Sequence, residues 1–221
     1  MNDAGRCCLC SQIAGRRDND LISQLLGEST YVRRVAMETK NFVAIPSLGP
    51  LVPGHTLLCP KAHIKNMACL PQELWVEFQN IKENLSNLLG SLFHSPIHYF
   101  EHGSPPQSSR VLCTVDHAHL HLVPADVEVL DLLSQSVSWR TMQPSISSLQ
   151  NAVCADEYLY YESPWSKAFI ARGDSFESQY MRRVFAKALG CMDDWNWRTN
   201  PRPLQVDCTF RVISEACAVR P

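Results

Sequence analysis

In the stretch His117-Ala118-His119-Leu120-His121-Leu122-Val123, imidazoles and apolar side chains alternate without a break. A strand with this pattern carries His117, His119 and His121 on one face and Ala118, Leu120 and Leu122 on the other. A helix would scatter the same imidazoles around its circumference, so the alternation predicts a strand. Burying three imidazoles costs desolvation unless each finds a partner. Their face must therefore meet solvent, hold a metal or work on a substrate.

The surrounding sequence supplies a sheet for that strand. Tyr31–Met37 and Phe42–Ile45, separated by Glu38-Thr39-Lys40-Asn41, predict a hairpin. Pro46 to Gly54 reads as a loop, and Thr56–Cys59 as a buried strand stopped by Pro60. From Pro71 to Leu92, Leu74, Phe78, Ile81, Leu85, Leu88 and Leu92 form one helical stripe, with Lys82 and Glu83 off it. That stripe serves either the monomer core or a homodimer. Ile97–Glu101 predicts another strand. Residues 126–152 are rich in Ser and Gln and read as a connecting segment. In residues 153–221, Glu157–Glu162 and Ala168–Ala171 predict strands, Ser178–Leu189 a helix and Cys208–Ile213 a last strand. The division expected is a catalytic domain over 1–125, the connector, and a C-terminal extension over 153–221 packed on that domain.

A net charge of -2 lacks the positive field of a dedicated nucleic-acid binder, so no nucleic acid is expected as a partner. No run approaches the ~20 apolar residues that span a bilayer, so no membrane partner is expected either. The first residues contain no secretory apolar core, which places the chain in the cytoplasm by expectation. In that compartment Cys59, Cys69, Cys113, Cys154, Cys191, Cys208 and Cys217 read as small buried hydrophobes rather than disulfides. Cys7-x-x-Cys10 is open to three readings: ordinary thiols, a redox pair or half of a metal site.

The His-x-His-x-His pattern resembles that of the histidine-triad superfamily, and further pieces agree in order. Phe42-Val43-Ala44-Ile45-Pro46 through Pro53-Gly54-His55-Thr56-Leu57-Leu58-Cys59-Pro60-Lys61-Ala62-His63 resembles that family's nucleoside-carrying strand–loop–strand unit. Phe100-Glu101-His102-Gly103-Ser104 is similar to the segment preceding the triad, and Thr114 sits where a hydroxyl faces the phosphate. The resemblance covers roughly residues 7 to 125. It implies an α+β fold: an antiparallel sheet of about five strands with a long packed helix, here followed by an α/β extension.

The resemblance also implies chemistry. His119 would be the nucleophile on the α-phosphorus of a nucleotide substrate, forming a covalent nucleotidyl–histidine intermediate. His121 would handle the phosphate or leaving group, and Thr114 the developing charge. Glu101, His102 and Gly103 would face the substrate, and Arg182 or Arg183 would clamp a phosphate. Zinc-bearing relatives, among them galactose-1-phosphate uridylyltransferases, imply a zinc site of Cys7, Cys10, His63 and His117. His98 and His102 are reserve ligands, and His55 and His94 read as surface or packing residues. Hydrolysis of a dinucleoside polyphosphate, nucleotide sugar or phosphoramidate leads. Nucleotidyl transfer or phosphorolysis is the alternative, weakened because the uridylyltransferase branch carries glutamine where this chain has His121. A non-catalytic nucleotide sensor is the third reading.

Overall fold

The computed structural model describes residues 5, 7–16, 24–25, 33–104, 115, 117–133, 137–153, 156–173 and 176–219. Its strands are β1 Met37–Glu38, β2 Phe42–Pro46, β3 Thr56–Pro60, β4 Ile97–Gly103, β5 Leu120–Pro124, β6 Arg140–Met142, β7 Glu157–Glu162 and β8 Ala168–Gly173. Its helices are α1 Cys8–Ala14, α2 Trp75–Phe93, α3 Leu130–Leu133, α4 Ile146–Ala152, α5 Tyr180–Ala188 and α6 Pro203–Ala218. The strands form one antiparallel sheet in the order β1-β2-β3-β5-β4-β7-β8-β6.

The class is the expected α+β, but the sheet has eight strands instead of about five. β2 to β5 fall on expected strands, whereas β1 is only Met37–Glu38: residues 33–36 of the expected Tyr31–Met37 are not strand, and residues 31–32 lie outside the described residues. β7 then pairs with β4 from Tyr99↔Glu162 to Gly103↔Tyr158 and carries β8 and β6 beyond it. Left as an edge, β4 would present unpaired backbone groups, and pairing with β7 removes that liability.

The two faces of the sheet are covered differently. On one, α2 buries Phe78, Ile81, Leu85, Leu88 and Leu89 against Phe42, Ala44, Leu58, Leu120 and Leu122. Lys82, read from sequence as off the apolar stripe, is also buried. Its ammonium meets both Glu162 carboxylate oxygens at 2.8 and 2.6 Å, while Tyr160 donates to that carboxylate at 2.7 Å. This pairing joins α2 to β7. On the other face, Leu9 and Ile13 of α1 pack on Val43, Ile45 and Cys59. Val184 and Phe185 of α5 pack on Phe100, Val123, Leu159 and Tyr161. Between α1 and α5 a cleft opens over the sheet, lined by Leu57 of β3 and by His119 and His121 but not by His117.

Two local expectations are corrected. Cys208–Ile213 lies within α6, not in a strand. Its buried positions Val206, Thr209 and Ile213 follow helical spacing, and Pro203 begins the helix, where a missing N–H costs nothing. The strand of the alternating segment starts only at Leu120. Just before it, Ala118 N donates to Ile64 O at 2.6 Å, outside the ladder. His117 and His119 therefore leave the pleat and are aimed separately. Among the described residues no helix is long and apolar enough to cross a membrane.

Candidate active site and metal centre

His119 lies where the chain enters β5. Its Nδ1 donates to the His117 carbonyl at 2.6 Å, which puts the ring proton on Nδ1 and leaves the Nε2 lone pair free. The ring stays partly exposed on the wall of a cleft, yet loss of water around it pulls its pKa down to about 4. It is thus neutral near pH 7, the form in which imidazole is nucleophilic.

A second imidazole order is fixed by His55, which the sequence reading left to the surface or to packing. His55 is fully buried. Leu51 N–H donates to its Nδ1 at 3.2 Å, so its proton sits on Nε2 and points at His121 Nδ1, 2.9 Å away. His121 must then carry its proton on Nε2. Burial drives both rings well below the usual histidine pKa, with the Arg182 charge adding to the shift. Phe100, opposite His121 across β4 and β5, stacks on its ring with centroids 4.1 Å apart and holds its plane. The signal for His55 was present in Pro53-Gly54-His55: Gly54 turns the chain at φ 82° and returns the imidazole to the sheet.

The cleft holds about 820 Å3 of empty space, a figure that includes its solvent-open mouth. His119, His121, His102, Arg182 and Ser47 are among its polar side chains, with Leu9, Leu48, Leu57, Phe100 and Trp197 as apolar wall.

The structure distributes the remaining expected substrate contacts unevenly. His102 reaches the cleft, its Nε2 held at 2.5 Å by the buried Glu157 carboxylate of β7. Extending the β4–β5 register places it opposite His119. Glu101 points to the other face, where it is buried. Its carboxylate accepts from Met67 N at 2.9 Å, from the Tyr158 hydroxyl and from the His119 backbone N–H, and burial raises its pKa to about 7. It holds the His119 backbone from behind the sheet and does not line the cleft. Gly103 is also absorbed by packing, since an added Cβ would lie 2.1 Å from the Tyr158 ring. Gly103→Ala is expected to displace Tyr158 from Glu101 and to destabilise the protein by roughly 1–3 kcal/mol, read as a lowered midpoint in urea unfolding.

Arg182 lines the cleft, whereas Arg183 stacks its guanidinium on the Trp195 ring at 3.4 Å and does not reach it. Thr114 lies outside the described residues. His98 is removed from any ligand set by its bonds to the Tyr161 hydroxyl at 2.9 Å and the Ala125 carbonyl at 3.1 Å.

Cys7, Cys10, His63 and His117 converge beside this site, their ligand atoms all within 4.8 Å of one another. Cys7 directly precedes α1 and Cys10 is in its first turn, so the two sulfurs share a side while Cys8 turns to the cleft. His117 Nδ1 lies 3.6 Å from Cys7 Sγ and 3.4 Å from Cys10 Sγ, and His63 Nδ1 lies 3.4 Å from Cys10 Sγ. A tetrahedral zinc with bonds of about 2.3 Å to sulfur and about 2.0 Å to nitrogen separates S from N by about 3.6 Å. The spacing therefore fits zinc. His117 Nε2 donates to the Pro60 carbonyl at 2.8 Å, which leaves the Nδ1 lone pair facing the sulfurs as a ligand needs.

Comparison with known proteins adds a family. The model of the family described as protein similar to CwfJ C-terminal matches residues 1–138. No curated protein matches the chain. Similar solved structures include a Hit-like protein involved in cell-cycle regulation from Bartonella henselae, 22% identical, with a TM-score of 0.36 over 49% of this chain and 78% of that one. Another is a zinc-bound histidine triad family protein from Mycobacterium smegmatis, 20% identical, with a TM-score of 0.41 over 67% and 94% of the two chains. A member of the HIT family from Bacillus subtilis is 19% identical, with a TM-score of 0.36 over 59% and 89%.

Proposed function

The chain belongs to the family of proteins similar to the CwfJ C-terminal, and from that premise we propose that its cleft hydrolyses a nucleotide conjugate at the α-phosphorus. The observation that carries this reading is the proton order of the site. His119 has a free Nε2 on the cleft wall, and the Leu51–His55–His121 chain puts a proton on His121 Nε2 beside it.

In this reading His119 Nε2 attacks the α-phosphorus, a P–N bond forms and the bond to the leaving oxygen or nitrogen breaks. His121 Nε2–H donates to the phosphoryl oxygen or leaving group and is held in that tautomer by His55. Water then attacks the phosphorus of the nucleotidyl–histidine, releasing a nucleoside monophosphate and restoring the imidazole. His102, fixed by Glu157, and Arg182 bind phosphate oxygens. Glu101 holds the His119 backbone in place.

Cys7, Cys10, His63 and His117 would hold zinc, whose contribution is structural: it ties α1 to the segment whose carbonyl orients His119. The apolar wall suits a nucleoside, the polar end a phosphate.

Intact-protein mass spectrometry during turnover of a nucleotide panel tests the reading. The expected result is a transient gain equal to one nucleoside monophosphate, absent in His119→Ala. Turnover with no adduct under rapid acid-free quench would exclude the covalent route, and absence of both adduct and product across the panel would leave the sensor reading in its place.

A further inference from the structure

Arg182 is a buried cation with no counter-charge among the described residues. Only 4% of it is exposed. Its Nε donates to the Trp195 carbonyl at 2.7 Å, one terminal nitrogen donates to the Gly49 carbonyl, and the other lies 3.5 Å from Ser47 Oγ. These are all neutral acceptors, and two of the five guanidinium N–H groups remain for something else. Among the described residues no carboxylate comes within ion-pairing distance. The neighbouring acid, Asp194, is taken by Arg202. Arg202 is itself a second positive charge close to Arg182. A buried charge without a counter-charge is strongly unfavourable, and one maintained on the wall of a cleft points to a counter-charge that arrives with the ligand.

Where that ligand charge sits follows from the neighbours. Arg182 comes from α5, outside the residues matched by the family model, and its bonds to Gly49 and Ser47 place it on the wall of the cleft that Ser47 lines.

We propose that Arg182, with Ser47, forms a second anion subsite, and that the preferred ligand is a nucleotide bearing a phosphate besides the one His119 faces. The proposal rests on the cleft taking a nucleotide. The extra phosphate has two sources of the same chemistry, the 5′ chain of a diphosphate or a phosphate on the ribose 3′ oxygen. A single-phosphate nucleotide leaves Arg182 uncompensated.

Calorimetric titration of the full zinc-loaded chain carrying His119→Ala tests this without requiring turnover. The probes are the 5′-monophosphate, 5′-diphosphate and 3′,5′-bisphosphate of adenosine and of guanosine, and inorganic pyrophosphate. One of the two bis-phosphorylated forms is expected to bind about 10- to 100-fold more tightly than the monophosphate, the range for a charge-assisted contact. Which form gains identifies the position of the extra phosphate. Adding Arg182→Gln should erase that gain, so that mono- and bis-phosphorylated forms bind alike, while Arg182→Lys keeps part of it. Thermal melts of both variants establish that they fold.

Equal affinity for mono- and bis-phosphorylated forms overturns the proposal, as does an Arg182→Gln loss that is the same for every nucleotide. If no nucleotide binds but pyrophosphate does, and only with Arg182 present, the subsite stands while the nucleotide reading falls. If pyrophosphate also fails to bind, both fall. Should Arg182→Gln not fold, the Arg182→Lys series decides, with a gain undiminished by lysine counting against a forked guanidinium contact.

Discussion

Replacing His119 with alanine is expected to lower turnover of the best nucleotide substrate by about 10^4- to 10^6-fold, the scale seen when a covalent nucleophile is removed from a catalytic unit. Folding should be little affected, because the ring stands partly exposed on the cleft wall and its one hydrogen bond is to a neighbouring backbone carbonyl. The more discriminating variant is His55→Ala. His55 touches neither the cleft nor the reacting phosphorus, yet it alone decides which nitrogen of His121 carries the proton. Its loss is expected to cost on the order of 10^2-fold in kcat, the lower part of the range for misplaced acid–base groups. His55→Gln, which can still donate to His121 Nδ1, should recover a good part of that. Equal losses for alanine and glutamine would mean that His55 only fills space.

The second large effect concerns the metal centre. Removing zinc with a strong chelator, or replacing Cys7 with alanine, is expected to lower the melting temperature by roughly 10–15 °C, equivalent to about 3–5 kcal/mol for a chain of this size. Part of that loss comes from the fold. Leu9 and Ile13 of α1 cover Val43, Ile45 and Cys59, and α1 is only seven residues long, too short to be stable unless it is anchored at Cys7 and Cys10. Chelation should also lower activity before the protein unfolds, since the His117 carbonyl that orients His119 sits on a zinc ligand. One equivalent of zinc by elemental analysis, lost together with the thermal shift, is the confirming measurement. An unchanged melt after the cysteines are shown to be metal-free would remove zinc from the account.

Much of this was readable from residue order because it depends on short-range rules. Alternation fixed the character of β5, and a period of three to four fixed α2. The CxxC spacing by itself left three readings open, and it was the family resemblance that implied the set Cys7, Cys10, His63 and His117, whose atoms the fold brings within 4.8 Å of one another. Other features depended on which face a side chain received. Glu101 and His102 are adjacent, so β4 sends them to opposite sides of the sheet: His102 to the cleft, Glu101 to the backbone behind the nucleophile. Arg182 and Arg183 are adjacent too, and one helical step of about 100° separates a buried cleft residue from one stacked on a partly buried tryptophan. No local pattern distinguishes the members of such pairs.

What the sequence determined by itself, then, was the set of chemical groups: three imidazoles spaced two residues apart, a CxxC pair with histidines that the family resemblance joins to it, and a long amphipathic helix. What only the tertiary structure decided was how those groups are oriented and what they lean on. The His55–His121 bond joins residues 66 apart, Glu157 reaches His102 from a strand 55 residues later, and Arg182 meets Gly49 across 133 positions. The reason is physical. Residue type and spacing fix what a side chain is able to donate, accept or attack, while hydrogen bonds between distant segments fix its proton and its direction, and these form only once the sheet has closed.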